Sequence, residues 1–174
     1  MNDEQRRIKS YLTTQGAKLS PGEIIDKVRA AMADLNAAAA TVPLDRFHER
    51  PAPEEWSGND VMAHVVSSGR SFGDRIVQIL DGLPVVTPPA HDREVAPPRH
   101  TPEEWGVVLD NDRAVLFKRV QRADPGTRLD ATIEHPFFGP LNWRESLLFL
   151  RLHDLDHAGQ LQKIGAALGG RGSA

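Results

Sequence analysis

Four times along this chain of 174 residues, a short hydroxyl or amide side chain is followed three positions later by an acid, where an apolar run at helical spacing begins. Ser20 precedes Pro21 and Glu23, Ser57 precedes Asp60, Thr101 precedes Pro102 and Glu104, and Asn142 precedes Glu145. In such a capping box the first side chain accepts from the backbone N–H three residues on, while the acid reaches back to the N–H of the cap. Proline suits the first helical position, because the N–H it lacks is one that a helix start leaves unpaired. Four such starts predict four helices, and no sustained alternation of apolar and polar residues competes with them.

The spacing within each segment agrees. Ile24, Val28, Ala31 and Leu35 form one stripe, and Val61, Phe72, Ile76 and Ile79 another. The last segment runs from Asn142 to a stop at Gly169 and Gly170. Between the helices lie proline-dense links, of which the second, "GLPVVTPPAHDREVAPPRH", is long enough to predict a crossover rather than a tight hairpin. The third link is expected to hold a short strand near Leu129 to Ile133. Ile8, Tyr11 and Leu12 are spaced for a further short helix near the N-terminus. The expected organisation is an N-terminal segment over residues 1–19, an all-α four-helix bundle over 20–170, and a tail over 171–174.

Composition removes several function classes. With no cysteine, disulfides, iron–sulfur clusters, thiolate metal sites and a cysteine nucleophile are excluded. The net charge is −3 and the basic residues are scattered, so the basic stripe that neutralises phosphates is missing and no nucleic-acid partner is expected. No apolar run approaches the roughly 20 residues of a membrane span. The opening residues lack an apolar h-region, so a cytoplasmic location is expected.

Against that background two residues of the last helix stand out. His153 and His157 occupy positions where a core helix would carry leucine or valine, and they lie only about 40° apart around its axis. A single histidine on an apolar face is ordinarily a core residue satisfied by a carbonyl or carboxylate. Two at H-x-x-x-H spacing can converge on one ion, since residues four apart stack on one side of a helix. His64, two turns into the second helix and on its inward side with Val61 and Phe72, supplies a third nitrogen. Three neutral imidazoles leave coordination positions open, which is the catalytic rather than the structural pattern, and they suit zinc, nickel, iron or copper.

The other histidines read differently. His48, His91 and His100 fall in proline-rich links, where solvated side chains are the rule. His135 precedes Pro136 and reads as a turn residue, with the mouth of a pocket as its functional alternative. Asp154 and Asp156 flank the ligand pair and read as a solvated face, the alternative being support to an imidazole. Arg75 falls near the sector of His64 and is suited to an anionic substrate group, although a surface arginine is the ordinary expectation. Leu148, Leu152 and Leu155 lie well round from the histidines. They suit packing against the N-terminal segment, a neighbouring helix or a homodimer partner.

The stretches "PAPEEWSGNDVMAHV", "HPFFGPLNWRE" and "HDLDHAGQLQKI", in that order, resemble the DinB-like (YfiT-like) superfamily, and within it the DinB_2 branch. The resemblance implies an up-down-down-up four-helix bundle, frequently dimeric, with a divalent metal held by His64, His153 and His157. Zinc or nickel is the expected ion, with iron as an alternative. It further implies a metal-dependent enzyme acting on small molecules. Relatives include S-transferases that use a low-molecular-weight thiol of the mycothiol or bacillithiol type as co-substrate. A hydrolase using metal-bound hydroxide and a non-catalytic metal or small-ligand binding protein are the alternatives. No residue is assigned a catalytic or substrate-binding role by the resemblance.

Overall fold

The structure, a computed structural model, describes residues 1–86 and 96–170; His91 and the tail 171–174 lie outside the described residues. The helices among the described residues are α1 (Asp3–Lys18), α2 (Pro21–Ala39), α3 (Gly58–Leu80), α4 (Pro102–Val120) and α5 (Trp143–Gly169), with a 3-10 turn at Leu44–Arg46. All four capping boxes close as the sequence predicts, on Ser20, Ser57, Thr101 and Asn142. A fifth, from Asn2 to Gln5, opens α1, which at 16 residues is longer than the short helix expected there. α5 has 27 residues, so at 1.5 Å per residue it runs about 40 Å.

Contacts near the helix ends fix the direction of each bundle helix. Arg144 donates to the Leu19 carbonyl at one end of the α2–α5 pair, and Gly165 lies against Thr41 at the other, so α2 and α5 are parallel. Trp56 and His64 meet His157 while Phe72 meets Phe149, so α3 runs antiparallel to α5. Asn59 bonds Trp105 and Asp81 pairs with Arg119, so α4 runs parallel to α3. The resulting order is up-down-down-up. The end of α3 at Leu80 and the start of α4 at Pro102 therefore stand at opposite ends of the bundle, the return that a crossover link makes. Asn59 secures the end of that return: its Nδ2 donates to the Pro98 carbonyl, and its Oδ1 accepts from His100 N and Trp105 Nε1.

Apolar side chains from all the helices fill one continuous core, with Leu12, Ile24, Leu35, Phe47, Met62, Ile76, Leu109 and Trp143 almost fully buried. Packing of these stripes, rather than helix propensity, supplies most of the stability of such elements. α1 lies across α5, with Gly16 against Glu145, Lys9 paired with Glu145 at 3.6 Å, and the Tyr11 hydroxyl accepting from Arg151. Leu148 is fully buried within the chain, and Leu152 is partly buried against the same core.

The strand expected near Leu129–Ile133 sits a few residues later and has a partner. β1 (Thr132–His135) pairs antiparallel with β2 (Gly139–Asn142), His135 opposite Gly139. Gly139 has φ +68°, the left-handed conformation that a three-residue hairpin loop places after its turn. The hairpin runs directly into the cap of α5, so its loop residues Phe137 and Phe138 are delivered beside the first turns of that helix. Among the described residues, no helix is long and apolar enough to cross a membrane.

Candidate metal centre

α3 and α5 are packed neighbours in the bundle, and three histidines meet between them. His64 comes from the second turn of α3, and His153 and His157 come from the middle of α5 one turn apart. One ring nitrogen from each lies within 4.8 Å of the other two. The Nε2 atoms of His64 and His153 face each other at 3.2 Å. Two nitrogens each about 2.05 Å from a tetrahedral ion stand about 3.3 Å apart, so this pair needs almost no movement to share a divalent metal.

The surroundings favour a neutral and oriented imidazole at His157. Gln160, one turn beyond His157, accepts from His157 Nδ1 at 2.8 Å. That bond places the proton on Nδ1 and leaves the Nε2 lone pair for the cluster. Burial, and after it the charge of His153, hold His157 below the ordinary imidazole range. Trp56, the residue before the Ser57 cap, lies nearly parallel to the His157 ring at 6.3 Å and 5.0 Å from that of His64. A cleft of about 630 Å³ adjoins His157, lined by Pro51, Trp56, Gln160, Lys163 and Ile164 among others. The cluster therefore has a route to small molecules beside it.

Behind His153 lies a feature that the sequence pattern concealed. Asp154, expected on a solvated face, is 0% exposed and bonds Arg113 of α4, itself 2% exposed, at 3.0 and 3.3 Å. Asp156 is exposed, as expected. The Arg113 guanidinium presses on bare backbone at Gly69, where a Cβ would stand 3.0 Å from Nη2. Burial pulls the guanidinium below its ordinary range, and Asp154 opposes that shift. The Asp154 carboxylate also stands 3.9 Å from His153 Nδ1, a buried nitrogen without a hydrogen-bond partner among the described residues. The acid thus faces the side of His153 that is turned away from the cluster, where a carboxylate favours an Nδ1–H tautomer and an available Nε2.

The remaining candidates divide. His135 stands directly before the turn but faces inward: it ends β1, is 6% exposed, stacks on Phe138 and packs edge-on to Phe149. Its Nδ1 accepts from Phe137 N, and burial, then the charge of His153, push it down from 6.5 to about 4. It is therefore separated from the histidine cluster by Phe149, which packs on both His135 and His153. His48 is half-buried edge-on to Phe47 instead of solvated, and His100 packs edge-on to Trp105 within 3.8 Å of Glu104. Arg75 is buried, against the surface position ordinarily expected of it. Trp56, Arg113 and the supporting bond from Gln160 were not singled out by the sequence pattern. Trp56 carries one signal in retrospect: a tryptophan beside the cap of a histidine-bearing helix.

The DinB_2 model of the DinB superfamily matches residues 27–161, which takes in all three histidines. The chain belongs to the DinB superfamily. A solved structure described as TT2238, a four-helix bundle protein, is similar to this DinB chain with a TM-score of 0.62 at 24% identity. The match covers 83% of this chain and 99% of that one, and it speaks for the bundle fold alone. No curated protein matches this DinB chain.

Proposed function

We propose that this DinB protein is a metal-dependent enzyme that couples a low-molecular-weight thiol to a small electrophile. The observation that carries the reading is the set of three imidazole nitrogens within 4.8 Å, offered by two neighbouring helices beside a cleft. His64, His153 and His157 would hold a divalent ion such as zinc or nickel. When bound there, the ion supplies Lewis acidity that lowers the pKa of a thiol at its open position. The chain's own residues prepare the site: Gln160 orients His157, Asp154 backs His153, and Trp56 walls one side of the cluster. The protein has no cysteine, so the sulfur must arrive with a substrate.

A hydrolytic reading needs a general base beside the cluster. Asp154 is engaged by Arg113, and His135 is held too weakly basic to serve near neutral pH, so thiol chemistry is preferred. The protein is proposed to work as a homodimer, as the family resemblance implies; elution at the monomer mass at micromolar concentration would remove that part.

The test is metal content of untagged protein after incubation with zinc or nickel, in the wild type and in His153→Ala. About one equivalent in the wild type and a large loss in the variant are expected, with chelation lowering the melting temperature of the wild type alone. Little metal in either protein would end the metal reading. Loaded protein is then assayed for consumption of mycothiol- and bacillithiol-type thiols with a chloronitroarene electrophile.

A further inference from the structure

Arg75 lies about three turns beyond His64 on α3, on nearly the same side of the helix. Only 8% of it is exposed. A guanidinium so enclosed is normally matched by a carboxylate, because burying an unpaired charge is costly. Among the described residues no acid pairs with Arg75. Its Nε donates to the Ser71 carbonyl at 3.1 Å, its Nη2 donates to Ser71 Oγ at 3.4 Å, and its Cζ stands 4.3 Å from the centre of the Phe72 ring. These contacts leave most of the guanidinium's N–H donors without a protein acceptor among the described residues. Of the other buried arginines, Arg113 has its acid, and Arg144 is met by the Pro125 and Leu19 carbonyls.

The surroundings point the same way. Phe72 lies 5.2 Å from Phe149, and Phe149 lies 5.8 Å from His153, so an aromatic wall runs from the guanidinium to the histidine cluster. His135 packs on this wall, against both Phe72 and Phe149. The lysine and arginine charges that bear on His135 are those of Arg75 and Lys9. Lys9 is engaged by Glu145 and the Pro140 carbonyl, which leaves Arg75 as the cation with donors to spare.

We propose that Arg75 and the Ser71 hydroxyl form an anion subsite that takes the carboxylate of a small substrate. The apolar body of that substrate lies along Phe72 and Phe149, and its reacting end meets the three-histidine cluster. A planar guanidinium fork matches a carboxylate, and one cation with one hydroxyl balances a monoanion better than a phosphate dianion. The placement of the reacting end rests on the proposed function; the subsite itself does not.

The probes are benzoate and phenylacetate against their uncharged amides, titrated by ligand-detected NMR into chelator-stripped and zinc-loaded protein. The carboxylates are expected to bind about tenfold tighter than the amides, the scale of a charge-assisted hydrogen bond, in both forms of the protein. Arg75→Gln is expected to erase that preference, and Arg75→Lys to keep part of it. Because Arg75 also packs on Phe72, circular dichroism checks the fold of both variants, and the wild-type comparison of acid with amide stands without either. Equal binding of acid and amide by the wild type would overturn the subsite, as would a preference that survives in folded Arg75→Gln. Carboxylate preference without zinc uptake would uphold the subsite and remove the metal reading. Zinc uptake without carboxylate preference would do the reverse.

Discussion

Replacing Arg113 with methionine isolates the buried pair behind His153. In the folded protein Asp154 is 0% exposed, and its partner among the charged side chains is the guanidinium at 3.0 and 3.3 Å. Methionine fills much of the arginine's volume but leaves the carboxylate enclosed without a counter-charge. Breaking a buried pair from one side costs about 3–5 kcal/mol, a large part of the roughly 5–15 kcal/mol that holds an ordinary domain together. For a chain of this length that corresponds to about 10 °C in melting temperature. Arg113→Met/Asp154→Leu removes both charges, and because the desolvation cost disappears with them it should recover most of the loss. Urea unfolding followed by circular dichroism measures all three variants against the wild type, with Asp154→Leu completing the cycle. A loss below about 1 kcal/mol in Arg113→Met, or a double variant that merely adds the two single losses, would refute the argument that the pair is closed off from water.

Gly69→Ala tests the same contact from α3. Helix propensity favours alanine by about 1 kcal/mol, but the new Cβ would stand 3.0 Å from a guanidinium that Asp154 holds in place. A net loss of about 1 kcal/mol is expected in the wild type and a net gain in the Arg113→Met background, both read from urea midpoints. Removing the Gln160 bond with Gln160→Ala should weaken zinc binding about 10–100-fold in a competitive chelator titration while leaving the fold unchanged. His135, held at about 4 in the folded chain against 6.5 ordinarily, stays neutral where the unfolded chain takes up a proton. Stability should therefore fall as the pH drops from about 6.5 towards 4, by about 3 kcal/mol from this residue. In His135→Phe that share of the slope should vanish, and an unchanged profile would contradict it.

The helix starts were legible because a capping box is local chemistry: a side chain and a backbone N–H three residues away settle the matter between themselves. His153 and His157 were legible for a related reason, since four-residue spacing on one helix fixes their relative direction before any packing is known. Asp154 was not. About 100° round from His153, it looked solvated on the premise that α5 has a wet side. In the bundle α5 is covered by α1, α2 and α3, and the partner that compensates Asp154 comes from α4, 41 positions away. The burial of Arg75 escaped for the same reason, because a polar residue near the edge of an apolar stripe gives no local sign of whether a neighbour closes over it. The hairpin was displaced in the reading because His135 to Gly139 turns on a glycine in the left-handed region, while the β-branched residues of this link lie before it.

The distance along the chain between the two facing imidazoles has a kinetic consequence. His64 and His153 are 89 positions apart, with α4 and the β1–β2 hairpin between them in the chain. Each helix can begin to form on its own caps, but the cluster closes only when a loop of 89 positions has closed, and contact-order arguments place such long-range closures late in folding. An ion held there would bind neither a nascent chain lacking α5 nor a collapsed state with the helices in the wrong order. Metal uptake during refolding would thus time the arrival of the last helix, and a chain cut before residue 143 would carry one of the three donors and no site.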